Sequence, residues 1–313
     1  MKTRWTTRWP LGLILAVVLV SAAALPADPA DSTDKVRLRL NLKEGDSFRF
    51  KVVVDQGINQ TVMGQQQAMA QTLGMGQQFD VLRADDSLYQ VRVSYYWVMF
   101  EQDGPLGRIT YNSDDPPETT HPMTAGFAAL LGRHITMTMD PLGYISTIDG
   151  VEAMLASMMA QFDSLGIAPP GVKESLRLYF GDETMKAQME NLLAIYPEEE
   201  VGVEDTWTKA VFLKTGMPMH LTNTYRLAAL EEDHVRIELK SIVAPGDGRP
   251  MQMGGVVLAY TVSGTQQGTM WLDKVTGFPR RVDITQHLTG EASLNNDMTW
   301  PIEIHVKNVM ETE

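Results

Sequence analysis

Side chains able to do chemistry are spread thinly along this chain. Its six histidines, His121, His134, His220, His234, His287 and His305, stand singly, with no spacing of the kind that places two ring nitrogens on one metal. Cysteine is absent, which excludes disulfides, thiolate nucleophiles, iron–sulfur clusters and cysteine-based zinc sites together. The acidic pairs Asp85-Asp86, Asp114-Asp115 and Glu231-Glu232 and the run Glu198-Glu199-Glu200 fall where the chain turns and read as solvated corners. Spacing alone leaves open a pair of carboxylates of the glycosidase type. There is no glycine-rich phosphate loop, no His-Glu-x-x-His and no Gly-x-Ser-x-Gly elbow. The sequence therefore supplies no catalytic residue, no metal site and no cofactor, and the expectation is a protein that is not an enzyme.

Methionine is the residue out of proportion, at 20 of 313. Three Met-x-Met pairs occur, Met137/Met139, Met217/Met219 and Met251/Met253, and His220 follows Met219. Thioethers are soft ligands that select Cu(I). On a strand, however, i and i+2 share a face, so the same pairs can simply fill an apolar surface with adaptable side chains. A third use is a pliable surface for an apolar ligand. The residues placed for that role are Met154, Met158, Met159, Phe162, Met185 and Met189, which share stripes of two expected helices.

Most of the chain is written in period two, the pattern of half-buried antiparallel strands. Val36, Leu38, Leu40 and Leu42 alternate with polar residues, then Phe48, Phe50, Val52 and Val54, then Tyr89 through Met99. The glutamine-rich stretch from Gln60 to Gln78 reads as a long hairpin. The middle changes period. Val151, Met154, Leu155, Met158, Met159, Phe162 and Leu165 fall on one helical face, with Asp149 as the expected N-cap and Gly166 as the stop. A second short helix is expected after Pro169-Pro170, and a third from Asp182 to Tyr196. Alternation then resumes at Val235, Val256, Val282 and Ile302.

Turn and strand signals recur in the same order on both sides of the helices. Gly45-Asp46-Ser47-Phe48 is echoed by Gly202-Val203-Glu204-Asp205-Thr206-Trp207, and Phe79 to Asp86 by Tyr225 to Glu232. The segment Thr136 to Ile145 is echoed by Thr269 to Phe278, each with an Asp followed three or four residues later by Gly, as a tight hairpin requires. Two such meanders bury one face each most simply as one large curved antiparallel sheet, or as two facing β-meanders, with the three helices packed on the concave face. The expected class is mainly β (α+β).

Lys2, Arg4 and Arg8, the apolar run from Leu11 to Val20 and the small residues Ser21 to Ala24 make the three-part pattern of a cleaved signal peptide over 1–24. No transmembrane segment is expected after cleavage, and the absence of cysteine closes the lipoprotein route. A flexible leader over 25–34 precedes a single β-rich domain over 35–313, divided into a first meander (35–148), a helical segment (149–196) and a second meander (197–313). Removal of the signal peptide's three basic residues leaves 23 basic against 39 acidic side chains, a net charge of −16 that argues against nucleic acid. The expected location is secreted or periplasmic. The sequon Asn59-Gln60-Thr61 matters only in a glycosylating host.

The hairpin from Trp271 to Ile284 resembles one that recurs in bacterial lipoprotein carriers of the LolA/LppX type, half-barrels whose concave apolar face holds acyl chains beneath helices. Over roughly 35–310 the chain more closely resembles an uncharacterised family of bacterial secreted proteins, a domain of unknown function. The residues that carry this are Gly45-Asp46, Tyr196-Pro197-Glu198, Asp205-Thr206-Trp207 and Asn223-Thr224-Tyr225. The resemblance implies an apolar or lipid-like ligand between sheet and helices and brings no catalytic residues. The alternative is a structural or interaction module of the cell envelope with a protein partner.

Overall fold

The computed structural model describes residues 35–105, 107–118, 121–164, 176–177, 180–214, 217–247, 251–253, 256–295 and 297–313. The expected signal peptide, the leader, the Gly166 stop and the start of the second expected helix lie outside them. In chain order the elements are β1 (Ser47–Val62), β2 (Gln65–Ala84), β3 (Tyr89–Asp103), β4 (Ile109–Asn112), α1 (Pro122–Ala128), β5 (His134–Met139), β6 (Ile145–Asp149), α2 (Val151–Ser164) and α3 (Asp182–Leu193). They continue with β7 (Thr206–Leu213), β8 (Met219–Leu230), β9 (His234–Pro245), β10 (Met251–Met253), β11 (Val256–Asp273), β12 (Pro279–Leu294) and β13 (Met298–Thr312).

All thirteen strands join one antiparallel sheet in the order β6-β5-β3-β2-β1-β13-β12-β11-β9-β8-β7, with β4 on β3 and β10 on β11. Of the two layouts the alternation allowed, the single curved sheet is the one formed. The recurrent signals occupy matching places in it. Read in one direction, β6-β5-β3-β2-β1 is followed, after β13, by β12-β11-β9-β8-β7, so the two meanders lie in tandem along the sheet.

Curvature is built in by glycine. A Cβ at Gly264 would lie 2.0 Å from the His287 carbonyl oxygen, one at Gly268 2.6 Å from that of Asp283, and one at Gly290 2.1 Å from that of Thr261. The sheet can coil this tightly at β11 and β12 only because those positions carry no side chain. At the hairpin tip between β1 and β2, Met63 and Gly64 both take positive φ, 52° and 79°, the two-residue turn whose twist matches the strands.

The two edges of the sheet are drawn toward each other. α3 packs against both β6 and β7. The Ile145 N–H donates to Glu190 Oε1 (2.9 Å), the Trp207 indole donates to the Ile195 carbonyl (2.7 Å), and the Lys209 ammonium donates to the Tyr144 hydroxyl (2.7 Å). The helix therefore covers two edges that would otherwise present free backbone groups. α1 lies on β3 and α2, and α2 on β5, with Phe100 stacked on Phe127 at 5.4 Å. The helices thus sit on the inner face of the sheet.

Several expectations need correction. The alternating segment Val36–Leu42 is not a sheet strand. Apart from a bridge between Val36 and Val201 it runs as an extended strap across one end, with Leu38, Leu40 and Leu42 buried. The Leu40 N–H donates to the Pro141 carbonyl and the Asn41 N–H to that of Thr276, both at 2.8 Å, so the strap ties together the two matching hairpin turns. The run from Tyr89 to Met99 is not continuous. Pairing shifts between Gly76 and Gln77, leaving Tyr96 as an extra residue, so Val98 and Phe100 turn inward in place of Trp97 and Met99. Asp149 ends β6 rather than capping α2, whose first hydrogen bond runs from the Met154 N–H to the Gly150 carbonyl. Gly181, not Asp182, is the N-cap of α3, and that helix ends at Leu193. The α1 helix was unforeseen.

Candidate ligand-binding interior

The inner face of the sheet carries a transverse row of polar side chains. In register, Gln102 of β3 faces Gln71 of β2, which faces Gln56 of β1, and Gln56 faces Val306 of β13. Val306 faces Gln286 of β12, Gln286 faces Gln266 of β11, Gln266 faces Ser241 of β9, Ser241 faces Asn223 of β8, and Asn223 faces Lys209 of β7. Nine strands contribute, and Val306 is the one apolar member. Between Gln102 and Asn223 every side chain of the row is buried, none more than 5% exposed.

Apolar rows flank it. On one side run Met69, Ile58, Ile304 and Leu288, and on the other Phe100, Leu73 and Val54, then Ile284 beyond Asn308. On β1 and β12 the glutamines sit at inward positions of a period two whose neighbouring places are filled by Val, Ile and Leu. That parity is the signal in the sequence that could have exposed the row: Val52-x-Val54-x-Gln56-x-Ile58 and Val282-x-Ile284-x-Gln286-x-Leu288.

The row divides by hydrogen bonding. Toward β8 and β9 it is self-sufficient. Ser241 Oγ donates to Asn223 Oδ1, and Asn223 Nδ2 donates to the Tyr225 hydroxyl at 3.2 Å. Burial pushes the Tyr225 phenol well above its ordinary pKa, so it stays protonated. In the centre no partner is present among the described residues. Both amide atoms of Gln266 and of Gln286, Gln56 Nε2 and Asn308 Oδ1 are buried without a hydrogen bond. These four residues lie on adjacent strands, β1, β13, β12 and β11, while the described helices pack on β3, β5, β6 and β7. A buried amide left unsatisfied costs about 1–3 kcal/mol per group, so this patch has unused capacity to donate and accept hydrogen bonds. Being neutral, the amides suit carbonyl, ester, amide or hydroxyl groups and not an unpaired charge.

The methionine residues placed as ligand lining occupy two stations. Met154, Met158 and Phe162 are buried on α2, with Met159 half-buried beside them, while Met185 and Met189 are buried on α3 at the seam between β6 and β7. Of the Met-x-Met pairs, Met137 and Met139 are wholly buried on β5, and Met217 and Met219 are buried at the start of β8; Met251 and Met253 form β10. His220 stacks on Phe212 at 4.3 Å on the face opposite Met219, so that pair does not converge.

One histidine grouping does converge, on the outer face. His287 and His305 are directly opposed across β12 and β13, their rings parallel within 7° and 4.4 Å apart. Glu303 Oε1 lies 2.8 Å from His287 Nε2 and 3.3 Å from His305 Nε2, and the hydrogen bond from His287 is the main reason the Glu303 carboxyl is held below its ordinary range. Linear spacing hid this site, since 17 residues of hairpin lie between the rings that the register pairs.

Comparison with known proteins adds the family. A model of a family of unknown function, DUF6263, matches residues 86–279, more than half of the chain. The chain belongs to the DUF6263 family. No curated protein matches the sequence. Among solved structures, lipovitellin, described for its lipid–protein interactions, is similar with a TM-score of 0.49 and 8% identity over 87% of this chain. This chain spans a quarter of lipovitellin's length. The COG4313 outer membrane channel from Pseudomonas putida F1 is similar at a TM-score of 0.24 and 8% identity, over 92% of this chain and all of that one. Among the described residues no helix is long and apolar enough to cross a membrane.

Proposed function

We propose that this DUF6263 protein is a secreted or periplasmic, non-enzymatic carrier that holds an apolar, lipid-like ligand between the curved sheet and its helices. The observation that carries this reading is the central patch of buried amides without partners, set between apolar rows. An acyl chain would lie along Ile58, Ile304 and Leu288, and the ester or amide that joins it to its headgroup would bond Gln266, Gln286 and Gln56. The pliable side chains of Met154, Met158 and Met159 on α2 and of Met185 and Met189 on α3 would let the cover adapt to chains of different length. The export address rests on the basic start, apolar run and small-residue end of residues 1–24.

The test is native mass spectrometry of gently purified protein, with displacement of a fluorescent fatty-acyl probe as a second readout. The expected result is a co-purifying lipid mass and saturable displacement that Gln266→Leu with Gln286→Leu weakens about tenfold, the equivalent of one lost hydrogen bond at roughly 1.4 kcal/mol. Protein that carries no lipid and binds no acyl probe overturns the reading.

A further inference from the structure

The outer face carries a site that the carrier reading does not use. We propose that His287, Glu303 and His305 bind a divalent transition-metal ion of the zinc class, through His287 Nε2, His305 Nε2 and Glu303 Oε1. The three ligand atoms lie within 4.8 Å of one another. In a tetrahedral site with bonds of about 2.0–2.1 Å, neighbouring ligand atoms stand roughly 3.3 Å apart. The Glu303 oxygen already lies 2.8 and 3.3 Å from the two ring nitrogens, and the stacked rings need to tilt to aim both in-plane lone pairs at one ion.

The scaffold favours such a site. β12 and β13 are interior strands, each paired on both sides, and the two histidines are a directly opposed pair on them. Ligands on paired strands are held in place before the ion arrives, which lowers the ordering cost of binding. On β1 the residue facing His305 is Gly57, and a Cβ built there would touch nothing within 4 Å, so the approach from that side is open. An open groove of about 600 Å³, lined in part by Asn59, Thr289 and Glu303, runs past the other side.

Donor chemistry selects the ion. Two imidazoles and one carboxylate suit zinc, copper and nickel, whereas calcium and magnesium demand oxygen ligands. Three protein ligands leave a fourth position for water or for an incoming group, and the groove at Glu303 gives that group room. Without metal, the carboxylate shared between the two rings keeps the ligand set together.

The experiment is calorimetric titration of zinc chloride into the chelator-stripped full chain at neutral pH, followed by cobalt substitution to read coordination from the visible spectrum. One site of micromolar or tighter affinity is expected, with a cobalt spectrum of tetrahedral intensity. His287→Ala and His305→Ala should each weaken binding at least about 30-fold, Glu303→Gln about tenfold, and the control His220→Ala not at all. Affinity should fall by more than tenfold between pH 7.5 and 5.5, because protons compete for both rings. All substituted residues lie on the solvent face, so circular dichroism should be unchanged; His305→Gln serves as a second variant if His305→Ala loses structure. Absence of binding, or binding that survives both histidine substitutions, reduces the grouping to a cross-strand ion pair and overturns the proposal.

Discussion

The two stretches of the inner polar row differ in one respect. At β8 and β9, Ser241, Asn223 and Tyr225 bond one another and the polarity is internally complete. On β12 and β11 the same kind of side chain, in the same register and equally buried, bonds nothing among the described residues, and on β1 Gln56 Nε2 is likewise without a partner. A network that satisfies itself belongs to the architecture: removing one member strands the others. A patch that does not satisfy itself costs stability unless water or another group bonds it. The comparison thus separates polar residues that bond one another from polar residues open to a further partner, although burial and position are alike.

The largest effect calibrates the comparison from outside the row. Met158 is wholly buried on α2, so Met158→Asp places a charge or a strained neutral acid where nothing can pair with it. A loss of several kcal/mol is expected, lowering the unfolding midpoint by more than about 10 °C at roughly 2–4 °C per kcal/mol. A shift near zero would mean that the α2 stripe does not face the core.

Next comes the row itself, probed at both stretches by the same chemical change. Asn223→Leu leaves the Ser241 and Tyr225 hydroxyls without their partner and should cost about 2–4 kcal/mol. Gln286→Leu removes two unsatisfied groups and leaves nothing stranded, so the ligand-free protein should be unchanged or up to about 2 kcal/mol more stable. Thermal unfolding of delipidated protein measures both. Equal losses at the two sites would erase the distinction.

The smallest effect lies at the surface, where the turn after β8 is pinned to the hairpin between β11 and β12. Asp233 accepts from His234 Nδ1 at 2.8 Å and from Arg280 at 2.6 Å, and Arg280 also pairs with Asp273. The hydrogen bond from His234, then that from Arg280, pushes the Asp233 carboxyl down to about 2. Its folded value lies below the unfolded one of about 3.9, so its contribution is fully present above that value and is lost as pH falls toward 2. Wild type should exceed Asp233→Asn slightly in midpoint at pH 5, and the two should converge at pH 2. The pair is exposed, so the difference is small.

Much of this architecture was legible because local rules and global fold agree. Alternating runs became strands, Asp140 with Gly143 and Asp273 with Gly277 became matching hairpin turns, and the methionine stripe became α2. The failures share a physical cause. The extra residue at Tyr96 reverses the parity of β3, and no local pattern announces a bulge. Leu38, Leu40 and Leu42 alternate as a strand would, yet their partners are hairpin turns that only tertiary structure brings near. The inner amides were hidden because strands were read by their apolar positions alone, and the histidine grouping by reading along the chain where the contact runs across it. Residues chosen for ligand lining from helix period alone all fall on α2 and α3, and none on the sheet.

The sheet is sealed in its middle by its first and last strands: β1 pairs with β13 over eleven residues, from Phe50↔Thr312 to Gln60↔Ile302. Every other neighbour along the sheet can form by a short return of the chain or a local crossover. This seam alone must close a loop of about 240 residues, at an entropic cost of roughly 5 kcal/mol. During synthesis β1 therefore waits, with one side able to pair with β2 and the other bare, until β13 has been made. The two meanders can each assemble as a local unit, and the inner amide patch, which straddles the seam, exists only after they are joined. A chain lacking β13 would keep its two meanders and lose the patch, along with the shelter of two long strand edges.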